Sequence, residues 1–423
     1  MSQWFLRGSD VLSYVIGIVV IVVGLLISVA IHEVGHMLPA KRFGVPVPVF
    51  SVGFGPLLWE KEWRGTRYGV RAIPLGGYVR IVGMYAPARP GTPIRNRKGE
   101  LTLAEEARRE SAAEVPEGME ERAFYRLSAP KKFAVMFGGP ITNLILSVVL
   151  FAVVLMGIGV PTASPTLAAV VPTVTTPSGA VPGPAAAAGI EAGDRITAVG
   201  ETPVKRWGDL TAALDKSAGE PLSVTIDRNG VPQTVTVTPV KLEDGRWVMG
   251  VGAGIEYVSA SPSVVAQVSW GAFTGTVGVV ARLPLAVWDV LVSLVTGAER
   301  DPAGVMSVVG VSRIAGEVAS GEGTFATSDY RATVATLLSL LASLNMALFV
   351  FNLLPVPPLD GGHIVGAIYE GARRSVARLR RRPDPGPADT ARLVVVTYVM
   401  GALLIGMSVI LMVADIIKPV TVG

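Results

Sequence analysis

From Val11 to Ala30 the chain runs through twenty residues without one charge. In hydrocarbon every backbone N–H and C=O needs a partner inside the segment, so a stretch of this length is restricted to a membrane-spanning helix. Similar runs extend from Phe133 to Val160, from Val334 to Leu354 and from Leu393 to Ile417. Half of all residues are hydrophobic and only 17% are charged, which argues against a soluble enzyme. The first run passes directly into ionisable residues and shows no small-residue cleavage pattern, so it reads as a retained helix rather than a removed signal.

Basic residues orient the runs. Of 37 lysines and arginines, 17 lie between Leu38 and Lys132 and 7 between Arg373 and Arg392, which puts both loops in the cytoplasm. The long segment from Pro161 to Arg331 carries 11, thinly spread, and is expected on the opposite face together with both termini. Four crossings satisfy this alternation. The apolar stretch Gly271 to Val295 holds Arg282, Pro284 and Asp289 and is expected to lie in the interface; a fifth crossing there would reverse the last two helices.

At the inner end of the first run stands His32-Glu33-Val34-Gly35-His36. Helix positions four apart share a face, so both imidazoles can grip one zinc ion while Glu33 serves as general base for a water. Pro39 follows three residues after His36 and is expected to end or bend the helix. The absence of cysteine excludes disulfides, thiolate zinc sites and cysteine nucleophiles, and the three histidines are His32, His36 and His363. A hydrolytic zinc site needs a third protein ligand and an open position. The third run ends in Asn352-Leu353-Leu354-Pro355-Val356-Pro357-Pro358-Leu359-Asp360-Gly361-Gly362-His363, whose three prolines forbid a regular helix. Irregular backbone at membrane depth is tolerated only inside protein or along a wet cavity, and a carboxylate there is a candidate functional group.

With both motifs in place, the chain resembles the site-2 protease family of intramembrane zinc metalloproteases, whose members pair an HExxH helix with a later NxxPxPxLDG segment. The match stands at Asn352, Pro355, Pro357, Leu359, Asp360 and Gly361. The resemblance implies a Zn2+ cofactor held by His32, His36 and Asp360, with Glu33 catalytic and His363 a supporting residue. It assigns Asn352, Pro355 and Pro357 to binding the unwound substrate backbone or the developing oxyanion.

The likeness extends to the bacterial regulator-of-sigma protease subgroup. Gly53-Phe54-Gly55-Pro56 and Ile73-Pro74-Leu75-Gly76-Gly77-Tyr78-Val79 resemble its membrane-associated β-hairpin, where Gly76, Gly77 and Tyr78 would present an edge strand to the substrate. Gly139-Pro140-Ile141-Thr142-Asn143 resembles its GPxxN element, with Gly139 permitting close helix approach and Asn143 hydrogen bonding across the contact. Gly189 to Ile196 resembles the strand entry of a PDZ domain, and Leu222 to Val240 alternates around an Asn229-Gly230 turn as a hairpin.

The expected architecture is a polytopic α-helical membrane protein with four transmembrane helices, a membrane-associated β-hairpin region and one extracytoplasmic PDZ-like α/β domain. Its parts are the first transmembrane helix (1–44), the hairpin region (45–85), a cytoplasmic loop (86–130) and the second helix (131–160). There follow the PDZ-like domain (165–258), interfacial helices and linker (262–332), the third helix with its aspartate motif (333–372), a basic cytoplasmic loop (373–392) and the fourth helix with its tail (393–423). Residues 86 to 121, rich in charge, proline and glycine, are expected to be flexible.

The resemblance further implies a bacterial inner-membrane enzyme with its active site toward the cytoplasm. Its substrate would be the transmembrane segment of a single-pass protein, an anti-sigma factor already trimmed on its outer side. The lipid bilayer is the other expected partner, and no nucleic acid is expected. The residues by themselves leave two alternatives open: a membrane carrier using intramembrane carboxylates, and a non-catalytic adaptor built on the PDZ-like region.

Overall fold

The computed structural model describes residues 2–301, 304–321 and 329–420; residues 322–328 of the expected linker and 421–423 of the expected tail lie outside the described residues. Helix α1 (Ser2–Arg42) carries the uncharged run and both motif histidines. Pro39 does not end it. The helix continues to Arg42, and the carbonyl of Gly35, which Pro39 deprives of its helical partner, is turned toward Gly138 of a neighbouring helix.

Strands β1 (Val49–Trp63) and β2 (Thr66–Arg80) form an antiparallel pair with an unusual path. Val52 of β1 pairs with Val70 on one side and with Gly77 on the other, so β2 doubles back around the start of β1. Residues 77–80 thereby become an outer strand lying against α1. Gly77 has no room for a side chain: a Cβ there would stand 2.9 Å from the Ser51 carbonyl, 3.0 Å from Val29 Cγ1 and 3.4 Å from Glu33 Cγ.

The charged segment that follows departs from the flexibility expected of it, because helix α2 (Leu103–Ala113) forms inside it. Thr102 caps that helix, its hydroxyl accepting from the Glu105 amide at 3.3 Å. Arg108 on its buried face reaches Asp389 at 2.7 Å, an ion pair spanning most of the chain that no local pattern reveals. Helix α3 (Ala129–Ala152) begins shortly afterwards with Pro130 in its first turn.

The chain divides into two compact units, the second being residues 155–261. That unit is built from β3 (Val160–Val170), the hairpin of β4 (Thr173–Thr176) and β5 (Gly179–Pro182), the short α4 (Pro184–Ala187), β6 (Arg195–Val199) and β7 (Thr202–Pro203). It continues through α5 (Trp207–Ser217), β8 (Leu222–Arg228), β9 (Val231–Val237), β10 (Val240–Lys241), β11 (Trp247–Val248) and β12 (Val251–Val258). A six-stranded sheet runs in the order β12-β3-β6-β8-β9, with β7 paired to β6. Its core is the apolar set Leu167, Ile196, Leu210, Leu214, Val224 and Ile226. Asn229 and Gly230 both take positive φ, 53° and 81°, as a two-residue turn matched to strand twist requires.

The first unit resumes with α6 (Pro262–Thr296), α7 (Val308–Ser320), α8 (Tyr330–Asn352), α9 (Asp360–Leu379) and α10 (Val394–Ile417). Among the described residues five helices are long and apolar enough to cross a membrane, one more than the four expected. The addition is α6. Arg282, Pro284 and Asp289 do not interrupt it, and they sit within one 35-residue helix.

Contacts within this unit fix the helix directions. Ile21 of α1 packs in one cluster with Leu337 of α8, and further along Ser28 accepts from Asn345 at 2.9 Å, so α1 and α8 run parallel. Helix α3 runs against them: Gly138 abuts Gly35, Asn143 lies beside His32, and Ser147 donates to the Ala342 carbonyl at 2.8 Å. Helix α10 also runs against α1. Its last turn offers Asp415 to the start of α7, which packs on the first half of α1, while Asp389 before its first turn binds α2.

Candidate metal centre

Three elements build the site. Helix α1 supplies His32 and His36, one turn apart; α9 supplies Asp360 in its first residue; α3 forms the wall behind the imidazoles. The wall is close because residue 139 is glycine. A Cβ there would fall 2.6 Å from His36 Cε1 and 2.8 Å from His32 Nε2. Helix α9 can start beside the proline turn for a similar reason, since a Cβ on Gly362 would stand 2.6 Å from Pro357 N. A buried ion pair then holds α9 to α3, with Lys132 Nζ 2.7 Å from Glu370 Oε2, an oxygen that also accepts from the Ala388 amide at 2.9 Å.

The donor atoms form a nearly equilateral triangle. His32 Nε2 is 3.2 Å from His36 Nε2, and Asp360 Oδ2 is 3.1 Å from the first and 3.3 Å from the second. A tetrahedral ion roughly 2.0–2.2 Å from nitrogen and oxygen ligands spaces them about 3.3–3.6 Å apart. The protonation pattern agrees with a cation. His36 Nδ1 lies 2.8 Å from the Val135 carbonyl, which only accepts, so this nitrogen bears the proton of the neutral ring and Nε2 is a bare lone pair. Asp360 Oδ2 is buried and takes no hydrogen bond of suitable geometry. Converging lone pairs without donors between them are stabilised by a metal, and the donor set fits zinc.

The three residues are a group able to hold a metal ion among the described residues. His363, one turn further along α9, is outside that group. Glu33 turns toward β2, its Cγ lying 3.4 Å from where a Cβ on Gly77 would stand. The Val135 carbonyl that holds His36 is a main-chain group, so no side-chain motif could announce it.

The remaining candidates are distributed around this core. Asn352 is the last residue of α8, and Pro355 and Pro357 fall in the turn before α9. Gly76 takes φ +88° against the Phe54 ring, and Tyr78 stacks on Phe54 with centroids 6.1 Å apart. Asn143 Nδ2 lies 3.2 Å from His32 Nδ1.

Comparison with known proteins agrees with this geometry. A family model described as Peptidase family M50 matches residues 20–382. Zinc metalloprotease Rip1 of Mycobacterium tuberculosis is 34% identical over 440 residues, covering 96% of this chain and 98% of the relative. Zinc metalloprotease Rip1 of Mycolicibacterium smegmatis is 34% identical over 437 residues with the same coverage. Metalloprotease MmpA of Caulobacter vibrioides is 29% identical over 380 residues, 86% of this chain and 89% of that one.

Proposed function

The chain belongs to peptidase family M50, and from that premise we propose that His32, Glu33, His36 and Asp360 cleave the transmembrane segment of a single-pass membrane protein near the cytoplasmic face. The protein is an intramembrane zinc metalloprotease acting on membrane-embedded protein substrates. The carrier and adaptor alternatives give way to that membership. The observation that carries the residue assignment is the triangle of His32 Nε2, His36 Nε2 and Asp360 Oδ2 with Glu33 on the same helix.

His32, His36 and Asp360 would hold the zinc. When bound, it supplies Lewis-acid polarisation of a peptide carbonyl and of the attacking water. Glu33 takes that water's proton on its carboxylate and returns it to the leaving amine. Its place against β2 suits this exchange, because the outer strand at residues 77–80 can hold an extended peptide beside it by main-chain hydrogen bonds. A helical substrate keeps its carbonyls engaged and must unwind first. Asn352 and the turn carrying Pro355 and Pro357 then contact the unwound backbone.

We further propose four crossings, with α6 entering and leaving on the outer side while its middle packs against Met346 and Phe349 of α8. Two points on one face of the membrane are joined by an even number of crossings. Helix α3 runs against α1 and α8 runs with it, so the chain leaves α3 and enters α8 on the same face. A single crossing by α6 breaks that parity. Its exposed Trp270 and Trp288, together with exposed Arg282 and Asp289, suit the headgroup level better than hydrocarbon. Since the chain has no cysteine, Glu299→Cys tests this directly: labelling by an impermeant maleimide from outside supports four crossings, and labelling only from the cytoplasm refutes them.

Cell localisation in a bacterial inner membrane and an anti-sigma substrate are readings from the subgroup resemblance, as is the PDZ-like reading of residues 165–258 within the second unit. That unit would exclude untrimmed proteins by size or bind a fresh carboxyl end. Glu33→Gln is the decisive variant. It should keep zinc and accumulate uncut membrane fragments, whose identification by mass spectrometry names the substrate; normal turnover in that variant refutes the role of Glu33.

A further inference from the structure

The two ligand imidazoles are held differently at their outer nitrogens. His36 Nδ1 meets the Val135 carbonyl, an acceptor that leaves no choice of tautomer. His32 Nδ1 meets a side chain instead, the amide of Asn143, one turn beyond Gly139 on α3, and both residues are buried. For His32 to direct an Nε2 lone pair at the point shared with His36 and Asp360, its ring proton must sit on Nδ1. That nitrogen is then a donor in need of an acceptor. The Asn143 nitrogen now beside it is a donor too and cannot serve. Asn143 Oδ1 can serve, and it is buried without a partner. Half a turn of the amide about its Cβ–Cγ bond exchanges the two atoms and displaces no other group.

We propose that Asn143 is a positioning residue of the metal centre: its Oδ1 accepts the His32 Nδ1–H, fixing the tautomer and ring plane that aim Nε2 at the ion. It is the side-chain counterpart of the Val135 carbonyl on the other ring. The same contact restrains α3 against α1 at the height of the site, so ligand orientation and helix packing share one hydrogen bond. Such outer partners of metal-bound histidines typically govern affinity by 10–100-fold. This inference rests on the zinc reading of His32, His36 and Asp360.

The test measures zinc affinity of the full chain in lipid nanodiscs by chelator competition, for the parent, Asn143→Leu, Asn143→Asp and Asn345→Leu. Leucine removes the acceptor at similar size, aspartate restores an acceptor without a donor, and Asn345 is a comparably buried amide bonded to Ser28 on the same helix bundle. Asn143→Leu should weaken zinc binding by about 10–100-fold, while Asn143→Asp and Asn345→Leu stay within about threefold of the parent. Equal weakening in Asn143→Leu and Asn345→Leu, or parent-like binding in Asn143→Leu, overturns the proposal. If Asn143→Leu does not accumulate folded, Asn143→Asp decides: parent-like affinity with an unchanged Co2+ visible spectrum supports it, and a tenfold loss overturns it. A parent that binds no stoichiometric zinc instead sinks the underlying site reading.

Discussion

Replacing Gly139 with alanine adds one methyl group where the structure leaves space only for imidazole. The new Cβ would overlap His36 Nε2 and stand 2.6 Å from its Cε1, and ordinary van der Waals contact begins at 3.4 Å, so the ring has to retreat by at least about 0.8 Å. Neither partner yields easily. His36 is tied to Val135 on α3 itself, and α3 is pinned to α1 where Gly138 meets Gly35. Metal–ligand distances tolerate only about 0.2 Å, so the displacement exceeds what the triangle can absorb. Overpacking should cost the fold about 1–3 kcal/mol, and if that strain falls on the liganded geometry it lowers zinc affinity by roughly 5–150-fold. The assay is zinc stoichiometry of the purified chain after dialysis against graded chelator, with Gly401→Ala as control because a Cβ there meets nothing within 4 Å. Parent-like zinc retention by a folded Gly139→Ala protein would refute the claim that this glycine sets the wall of the site.

Asp360→Ala should lose most of the metal while His363→Ala keeps it, as read by elemental analysis, because His363 stands outside the triangle. Glu370→Leu strands Lys132 in a buried setting and should destabilise the chain by about 3–5 kcal/mol in detergent unfolding, with most of that recovered by adding Lys132→Met. In the second unit the Arg228 guanidinium holds the Asp194 carboxyl below the usual carboxylate range. A depressed carboxyl contributes stability above its unfolded pKa of about 4 and loses it as pH falls through the lower folded value. Hydrogen exchange within residues 155–261 should therefore accelerate below about pH 4, and Arg228→Met should remove that step.

Much of the centre was legible because its ligands come from two compact motifs whose spacing carries chemical meaning: i and i+4 histidines share a helix face, and a proline-broken turn delivers a carboxylate. The supporting structure was less legible, since it depends on partners far apart in sequence. Helix α2 hid within a charge-rich segment because Arg108 is neutralised by Asp389, although Thr102 followed by Glu105 is a capping signature open to inspection. Helix α6 was legible as a helix but not as one long enough to cross, because Arg282 and Asp289 break its apolar run, while both side chains stay on the exposed surface and leave the backbone undisturbed. The doubled path of β2 depends on the positive φ of Gly76 and the bare backbone of Gly77, which read equally well as an ordinary turn. Of the two outcomes expected at Pro39, ending is excluded: its lost hydrogen bond falls where Gly35 faces a neighbouring helix, and α1 continues to Arg42.

The ligands come from opposite ends of the polypeptide, Asp360 being made 328 positions after His32. At about 5–20 residues per second of synthesis, the newborn first helix waits roughly 15 s to a minute before its carboxylate partner leaves the ribosome. During biogenesis the inserted histidine pair is therefore an incomplete grip, and hydrolytic capacity arrives only with the last helices. A product truncated before Asp360 lacks the third ligand of the site.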